Sequence, residues 1–361
     1  MDNPIHIVLA SDERYFPGLL GTLGSIVVNT KCKSPLCFYI IDGGISNKSW
    51  QKLSNLIVRF QNVKLARLQP DLKLFADLPD FFFESKLTYA RLLLEDLIPV
   101  LDKVIYIDTD ILFLKDIEEL WKLSLEGKSA LVALEKTYTY LENDCPNIDI
   151  LGLNPKAPYF NAGLMVMDLE RFRKYQISKR TLKYISEFPE ACLHHDQSAL
   201  NVTLYEDFKL IDQSWNTQAH RDIFKIEKHI SDFANRNLNF HFVTKVKPWL
   251  TYSEELPYKM FVILLEELSI DLNKDEMFQR SKKEYFKRDK FRLLLPVYYK
   301  FRGAVNKTKG GMNASKTDDK LLEYWQEQNK VRNFHRKHLL LINEILDKWR
   351  KHVESQSTKL K

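Results

Sequence analysis

Asp108 and Asp110 stand one residue apart at the end of an apolar run, Val104-Ile105-Tyr106-Ile107. A run with no polar gap reads as a strand buried on both faces. In an extended chain, residues i and i+2 project to the same side. Such a strand delivers two carboxylates to one spot. In open α/β sheets that spot, beyond the carboxyl ends of the strands, is where ligands bind. Two close carboxylates repel unless a cation sits between them. Hard oxygen ligands without a nearby cysteine suit Mg²⁺ or Mn²⁺, ions commonly shared with a phosphate. The chemistry indicated is a metal–diphosphate site. The alternative is a solvated loop after a strand.

Other residues of chemical type surround the motif along the chain. Ala10-Ser11-Asp12-Glu13-Arg14-Tyr15 follows the first apolar run. There Asp12 could meet a ribose or base and Tyr15 offers a stacking face, or the segment is an ordinary turn. Arg91, in Tyr89-Ala90-Arg91-Leu92, is a lone cation among apolar neighbours. It cannot lose its charge and must find an anion or a carbonyl, in a ligand or in a structural salt bridge. Asn161 and Gly163 precede an apolar run, where an amide can bond a sugar hydroxyl and a glycine permits close approach; a bulge at a strand start is the other reading. Asp196 and Gln197 open a helix, either as substrate contacts or with Asp196 as a cap. His241 ends an apolar segment and could supply a metal nitrogen. Lys247, in Lys247-Pro248-Trp249, could neutralise a leaving phosphate.

The elements that must position these groups alternate. Strands are predicted at Ile5–Ala10, Cys37–Ile41, Val63–Leu68, Val104–Ile107, Ala130–Leu134 and Leu164–Met167. Helices are predicted at Leu19–Val28, after the cap Ser46, at Leu87–Leu97 and from Ile117–Trp121. This alternation argues for an α/β fold with a mostly parallel, doubly wound sheet.

At 361 residues, 45% hydrophobic and 28% charged, the chain reads as a globular protein of one or two domains. It contains no Gly-x-Gly-x-x-Gly and no Walker lysine loop, so the common glycine cradles for phosphate are excluded. Cys32, Cys37, Cys145 and Cys192 form no zinc spacing and suit reduced thiols. The opening residues lack the basic leader and long apolar core of a signal peptide, and no stretch approaches the ~18 apolar residues of a membrane span. The expected location is the cytoplasm.

Residues 280–309 hold eleven lysines and arginines against two acids, a balance of +9 that exceeds the +6 of the whole chain. Aromatics such as Tyr285, Phe286, Phe291 and Tyr298 interleave with that charge. Such a mixture suits a segment lying on anionic lipid at the inner face of a membrane. A solvated or packed helical face is the alternative. No nucleic-acid-binding motif is present. Lys309–Lys316 reads as a loop, and Leu321–Val353 as one or two helices. The expected division is a catalytic part over 1–270 and a basic, mainly helical region over 271–361.

Taken in order, Ala-x-Asp-x-x-Tyr, Tyr-Ala-Arg-Leu, Tyr-x-Asp-Thr-Asp, Phe-Asn-Ala-Gly, Asp-Gln-x-x-Leu-Asn and His-Phe…Lys-Pro-Trp span roughly residues 4–252. This succession resembles family 8 of the retaining glycosyltransferases, which includes bacterial lipooligosaccharide galactosyltransferases, lipopolysaccharide glucosyltransferases and glycogenin. The resemblance implies a GT-A fold with a Rossmann-like nucleotide-binding half. It implies Mn²⁺ or Mg²⁺ as cofactor and a UDP-hexose, UDP-galactose or UDP-glucose, as donor. Asp108, Asp110 and His241 would hold the metal. Ala10, Asp12 and Tyr15 would line the uridine site, with Thr109 among the donor contacts, and Lys247 would bind the diphosphate. Arg91, Asn161, Asp196, Gln197 and Glu135 would surround the donor sugar, the first four as catalytic candidates. Three departures stand out. Ser198 replaces the second aspartate of Asp-Gln-Asp, Thr244 replaces a glycine three residues before Lys247, and Arg14 replaces a small polar residue.

The expected function is hexosyl transfer to a bacterial surface glycan, with glycan or glycolipid as acceptor. A glycoprotein acceptor such as a serine-rich adhesin is one alternative. A UDP-sugar-binding protein without activity is another.

Overall fold

The computed structural model describes residues 3–60, 62–71, 73, 78, 86–218, 227–291, 298, 300, 322–323, 326 and 338–358. The chain divides into two units: Met1–Gln218, Arg236–Val243 and Ser355–Lys361 in the first, Ala219–Asn235 and Thr244–Glu354 in the second.

The first unit is built on two sheets. The strands are β1 (Ile5–Ser11), β2 (Leu36–Asp42), β3 (Val63–Leu68), β4 (Lys103–Ile107), β5 (Ile111–Leu112), β6 (Ala130–Leu134), β7 (Phe160–Asp168), β8 (Phe208–Leu210), β9 (Thr217–Gln218) and β10 (Phe240–His241). The larger sheet runs β3-β2-β1-β4-β7-β6-β8. β3, β2, β1 and β4 are mutually parallel, so their carboxyl ends share one edge. Val8 pairs with Tyr106, and the same register sets Ala10 level with Asp108. The sheet is the doubly wound α/β type expected from the alternation.

Two expectations about elements need correction. The segment Leu164–Met167 is part of a nine-residue strand, β7, that lies antiparallel to both neighbours, β4 and β6. Asn161 and Gly163 thus lie inside the strand. The register against β6 slips between Val132 and Ala133, which pair with Met165 and Asn161. A bulge at Ala162–Leu164 results, the kind of irregularity that re-aims side chains beside active sites. Second, Leu87–Leu97 is not one α-helix. Lys86–Leu93 winds as a 3₁₀-helix and only Leu94–Leu97 is α-helical. With three residues per turn, Leu87, Ala90 and Leu93 share one buried line, and Thr88 and Arg91 share another. The later part of Leu321–Val353 is helical as expected, in a helix that runs from Leu339 to Thr358.

Other elements match their sequence signals. Ser46 caps the Asn47–Ile57 helix by accepting the Ser49 amide. The Phe16–Asn29 helix is buried along nearly all its length. Its polar residues Thr22, Ser25 and Asn29 serve the short strand β5 and the residue after it. Thr22 Oγ1 accepts the Ile111 amide at 3.2 Å, Ser25 Oγ accepts the Phe113 amide at 2.9 Å, and Asn29 donates to the Phe113 carbonyl at 2.9 Å. A buried backbone edge is thereby satisfied by side chains.

β5 lies antiparallel to β10, with His241 opposite Ile111. Asn239, fully buried, holds this junction: its Oδ1 accepts the Leu114 and Lys115 amides and its Nδ2 donates to the Trp215 carbonyl.

In the second unit the Leu256–Glu267 helix packs against residues 339–354 of the C-terminal helix. Trp349 donates to the Met260 carbonyl at 2.9 Å, and Arg350 pairs with Glu266 and Glu267. The Glu276–Phe291 helix sets Phe278, Tyr285 and Phe286 around the Tyr252 ring, with centroids 5.2–6.0 Å apart. Aromatics at the start of the basic segment therefore pack on their own unit, although Phe286 keeps 46% of its surface exposed. Most of 292–309, the segment 309–316 predicted as a loop and most of 321–337 lie outside the described residues. Among the described residues no helix is long and apolar enough to cross a membrane. All four cysteines are free thiols.

Candidate active site

The chain leaves β4 at Ile107 and enters β5 at Ile111, and the turn between them carries Asp108, Thr109 and Asp110. The Asp108 amide donates to the Gly163 carbonyl in the β7 bulge at 2.8 Å, which fixes the start of the turn. β10 then brings in His241 from 131 residues further on. Its Nε2 lies 3.1 Å from Asp110 Oδ1 and 3.9 Å from Asp108 Oδ2. One ligand atom from each of the three residues falls within 4.8 Å of the others. Two carboxylates and an imidazole at this spacing fit a divalent ion such as Mn²⁺ or Mg²⁺. The space is kept open by Gly163. A Cβ there would sit 2.3 Å from His241 Cε1, 2.7 Å from Asp108 Oδ2 and 3.0 Å from Asn161 Oδ1.

Arg91 ties this turn to a second carboxylate. Its Nε lies 2.7 Å from Asp196 Oδ2, its Nη2 donates to Asp108 Oδ1 at 3.3 Å, and its Nη1 donates to the Ala162 carbonyl. The guanidinium lies 4.3 Å from the Tyr106 ring centroid. Thr88, one 3₁₀ turn before Arg91, donates to Asp196 Oδ1 at 2.7 Å. Both oxygens of Asp196 therefore have protein partners. Burial pushes the Asp196 carboxyl up from its ordinary pKa, and the Arg91 guanidinium and Thr88 hydroxyl oppose that rise. Arg91 and Asp196 are both buried, a geometry in which losing either partner strands a charge.

Gln197 faces the bulge from the helix Asp196–Thr203. Its Oε1 accepts the Ala162 amide at 3.0 Å and its Nε2 donates to the Tyr159 hydroxyl at 3.4 Å. Both ends of the amide are thereby oriented. His195, just before this pair, has φ +57°, an uncommon backbone state for a residue with a side chain.

Ser198 has a defined role. Its hydroxyl donates to Asp144 Oδ2 at 2.6 Å and accepts the His194 amide at 2.8 Å. Asp144 also accepts from the Tyr159 hydroxyl and lies 2.5 Å from His194 Nδ1. A buried carboxylate thus stands beside position 198, supplied by a distant segment. Neither Asp144 nor the Tyr159 hydroxyl carried a sequence signal for this.

The remaining sequence candidates are placed as follows. Asn161 donates to Glu135 Oε2 at 2.9 Å, and both are buried. Asp12 accepts the Tyr15 amide at 2.9 Å through its side chain, just ahead of the Phe16–Asn29 helix. Ala10 and Asp12 lie at the carboxyl end of β1, beside that of β4. Arg14 is exposed. Lys247 belongs to the second unit, where it is buried, and its carbonyl accepts the Leu250 and Thr251 amides. Thr244 is exposed and accepts the Val246 amide at 3.3 Å. Asn216, which carries no local sequence signal, sets its Oδ1 2.9 Å from His241 Nδ1.

The fold and this cluster place the molecule among the metal-binding sugar transferases of the GT-A type. A profile of the family described as "Glycosyl transferase family 8" matches residues 6–253, and the chain belongs to that family. General stress protein A of Bacillus subtilis is 27% identical over 270 residues, 72% of this chain and 91% of its own. Lipopolysaccharide 1,2-glucosyltransferase of Escherichia coli is 26% identical over 275 residues, 73% of this chain and 78% of its own. Among solved structures, galactosyltransferase LgtC with donor and acceptor sugar analogues superposes with a TM-score of 0.62 at 22% identity, covering 73% of this chain and 96% of LgtC. That last likeness shows the fold. The protein is an enzyme, a glycosyltransferase.

Proposed function

We propose that this enzyme is a divalent-metal-dependent, retaining hexosyltransferase that moves galactose or glucose from a UDP-sugar to a hydroxyl of a bacterial surface glycan. The observation that carries the proposal is the Asp108–Asp110–His241 cluster over the open face of Gly163. The names of the relatives support a glycan acceptor, and lipopolysaccharide is the one named for the Escherichia coli protein.

Asp108, Asp110 and His241 would hold the ion. When bound, the ion stabilises negative charge on the diphosphate. Ala10, Asp12, Tyr15 and Thr109 bind the nucleotide side of the donor, and Lys247 the diphosphate. Asn161, Glu135, Gln197 and the Arg91–Asp196 pair shape the sugar side. In transfer the bond from C1 to the diphosphate oxygen breaks and the acceptor oxygen bonds C1. The acceptor proton leaves to the departing diphosphate. C1 takes on oxocarbenium character, as in glycoside hydrolysis. Retention through a covalent intermediate needs a carboxylate nucleophile. The position offered is Gln197, an amide whose oxygen already accepts the Ala162 amide. A front-face route fits that residue better, with the fixed amide dipole stabilising the cationic sugar.

Residues 280–309 are assigned to contact with an anionic membrane surface, with a charge of +9 in support. Tyr285 and Phe286 pack on Tyr252, so the charge of the segment is the main support for that contact.

The test is UDP release from UDP-galactose, UDP-glucose and other UDP-sugars, with Mn²⁺ and with excess EDTA. Release should require metal, prefer one hexose and vanish in Asp110→Asn. Metal-independent release, or full activity in Asp110→Asn, would overturn the reading.

A further inference from the structure

Four buried side chains form a single file from Glu135 to His241 of the candidate metal cluster. Glu135 Oε2 accepts from Asn161 Nδ2 at 2.9 Å. Asn161 Oδ1 accepts from Asn216 Nδ2 at 2.8 Å. Asn216 Oδ1 lies 2.9 Å from His241 Nδ1. Asn216 is fully buried, and the other three expose 7% or less. The direction of this file is not free. The Gly163 amide donates to Asn161 at 3.0 Å, so the atom facing it must be the carbonyl oxygen. The nitrogen of Asn161 then points to Glu135, a carboxylate also anchored by the Thr137 amide at 3.0 Å. Asn216 must offer its nitrogen to Asn161 and its oxygen to His241. An oxygen at that distance requires the proton on Nδ1.

We propose that Asn216 is the positioning residue of the metal site. It holds the His241 proton on Nδ1, so that Nε2 presents a lone pair toward Asp108 and Asp110. Metal-ligating histidines depend on such a partner for tautomer and ring orientation. The polarity originates at the Gly163 amide, the same bulge that orients Gln197 through the Ala162 amide. The β7 bulge thereby orients a metal ligand and a sugar-side amide together. This inference rests on the metal assignment proposed above.

The test is direct Mn²⁺ binding, followed by electron paramagnetic resonance of the free ion, in the full chain. Asn216→Ala removes the acceptor and should weaken Mn²⁺ binding ~10–100-fold, the usual effect of losing such a partner. Asn216→Asp restores an acceptor to Nδ1 but turns an oxygen toward Asn161 Oδ1. It should recover at least about tenfold over Asn216→Ala, a difference well outside ordinary additivity error, while melting below wild type. A merely structural role would make affinity follow melting temperature in both variants. Mn²⁺ affinity within about twofold of wild type in Asn216→Ala, or equal weakness of the two variants, overturns the inference. Long-range proton–nitrogen correlation spectra of the Mg²⁺-loaded wild type give a readout that needs no variant. A proton on Nε2 overturns the inference, and one on Nδ1 supports it. If wild type binds no Mn²⁺ and matches Asp110→Asn, the metal assignment fails and the inference with it. Binding by wild type with no effect at 216 removes the inference alone.

Discussion

Gly163→Ala adds one methyl group at the centre of the site. The glycine's φ is not in the left-handed region, so the backbone tolerates alanine and the effect is one of space alone. The new Cβ would lie 2.3 Å from His241 Cε1, where carbon atoms pack at about 3.5–4.0 Å, so the two must part by roughly 1.2 Å. It would also press on Asp108 Oδ2 at 2.7 Å and Asn161 Oδ1 at 3.0 Å. None of these is the loose end of a flexible chain. His241 is held by Asn216 and β10, Asp108 by Arg91, and Asn161 by Glu135. Metal ligands tolerate displacements of only about 0.2 Å. A shift of the order of 1 Å at a reacting centre costs ~10²-fold in rate. Overpacking by one methyl should cost roughly 1–3 kcal/mol of stability. The expected result is a folded enzyme with Mn²⁺ affinity lowered at least about tenfold and turnover lowered ~100-fold. Mn²⁺ titration, UDP release and thermal melting read the three effects separately. A variant that binds Mn²⁺ and turns over like wild type would refute the claim that this glycine keeps the ligand space open.

Gln197→Ala should slow transfer strongly and leave UDP affinity nearly intact, because its amide meets the β7 bulge on the side proposed above for the sugar; calorimetric UDP binding with steady-state turnover separates the two, and the reverse pattern would reassign it. Ser198→Asp places a second buried carboxylate on Asp144, which Ser198 now contacts at 2.6 Å, and should destabilise by roughly 3–5 kcal/mol at neutral pH, less in acid. Adding Asp144→Ser to that variant should restore much of the loss in urea melts; no restoration would separate the two positions. Burial lowers the His6 pKa below 6.5, so the folded form resists protonation. The unfolded chain takes up the proton first, and stability should fall as pH drops below about 6.5. In His6→Gln, melts across that range should lose this part of the acid sensitivity, and an unchanged slope would discount it.

Local pattern made much of the molecule legible. An unbroken apolar run predicts a buried strand, and period-two geometry then requires Asp108 and Asp110 to share a side. Ser46 before an amphipathic stretch predicts a helix start, which is where the Asn47–Ile57 helix begins. These readings depend on neighbours within a few residues. Other features had no local signal. The 3₁₀ winding of Lys86–Leu93 aligns Thr88 and Arg91 against Asp196, a residue more than a hundred positions away. The antiparallel course of β7 and its bulge arise from pairing with both β4 and β6. Ser198 read as a departure from a family pattern, and only folding reveals the carboxylate of Asp144 beside it. Asn216 is one asparagine in an ordinary loop until folding sets it between Asn161 and His241. Spacing along a chain encodes what a strand or a helix presents to one side. Which groups meet across that side is decided by register, bulges and the satisfaction of buried polar atoms, and these exist only once distant segments have paired.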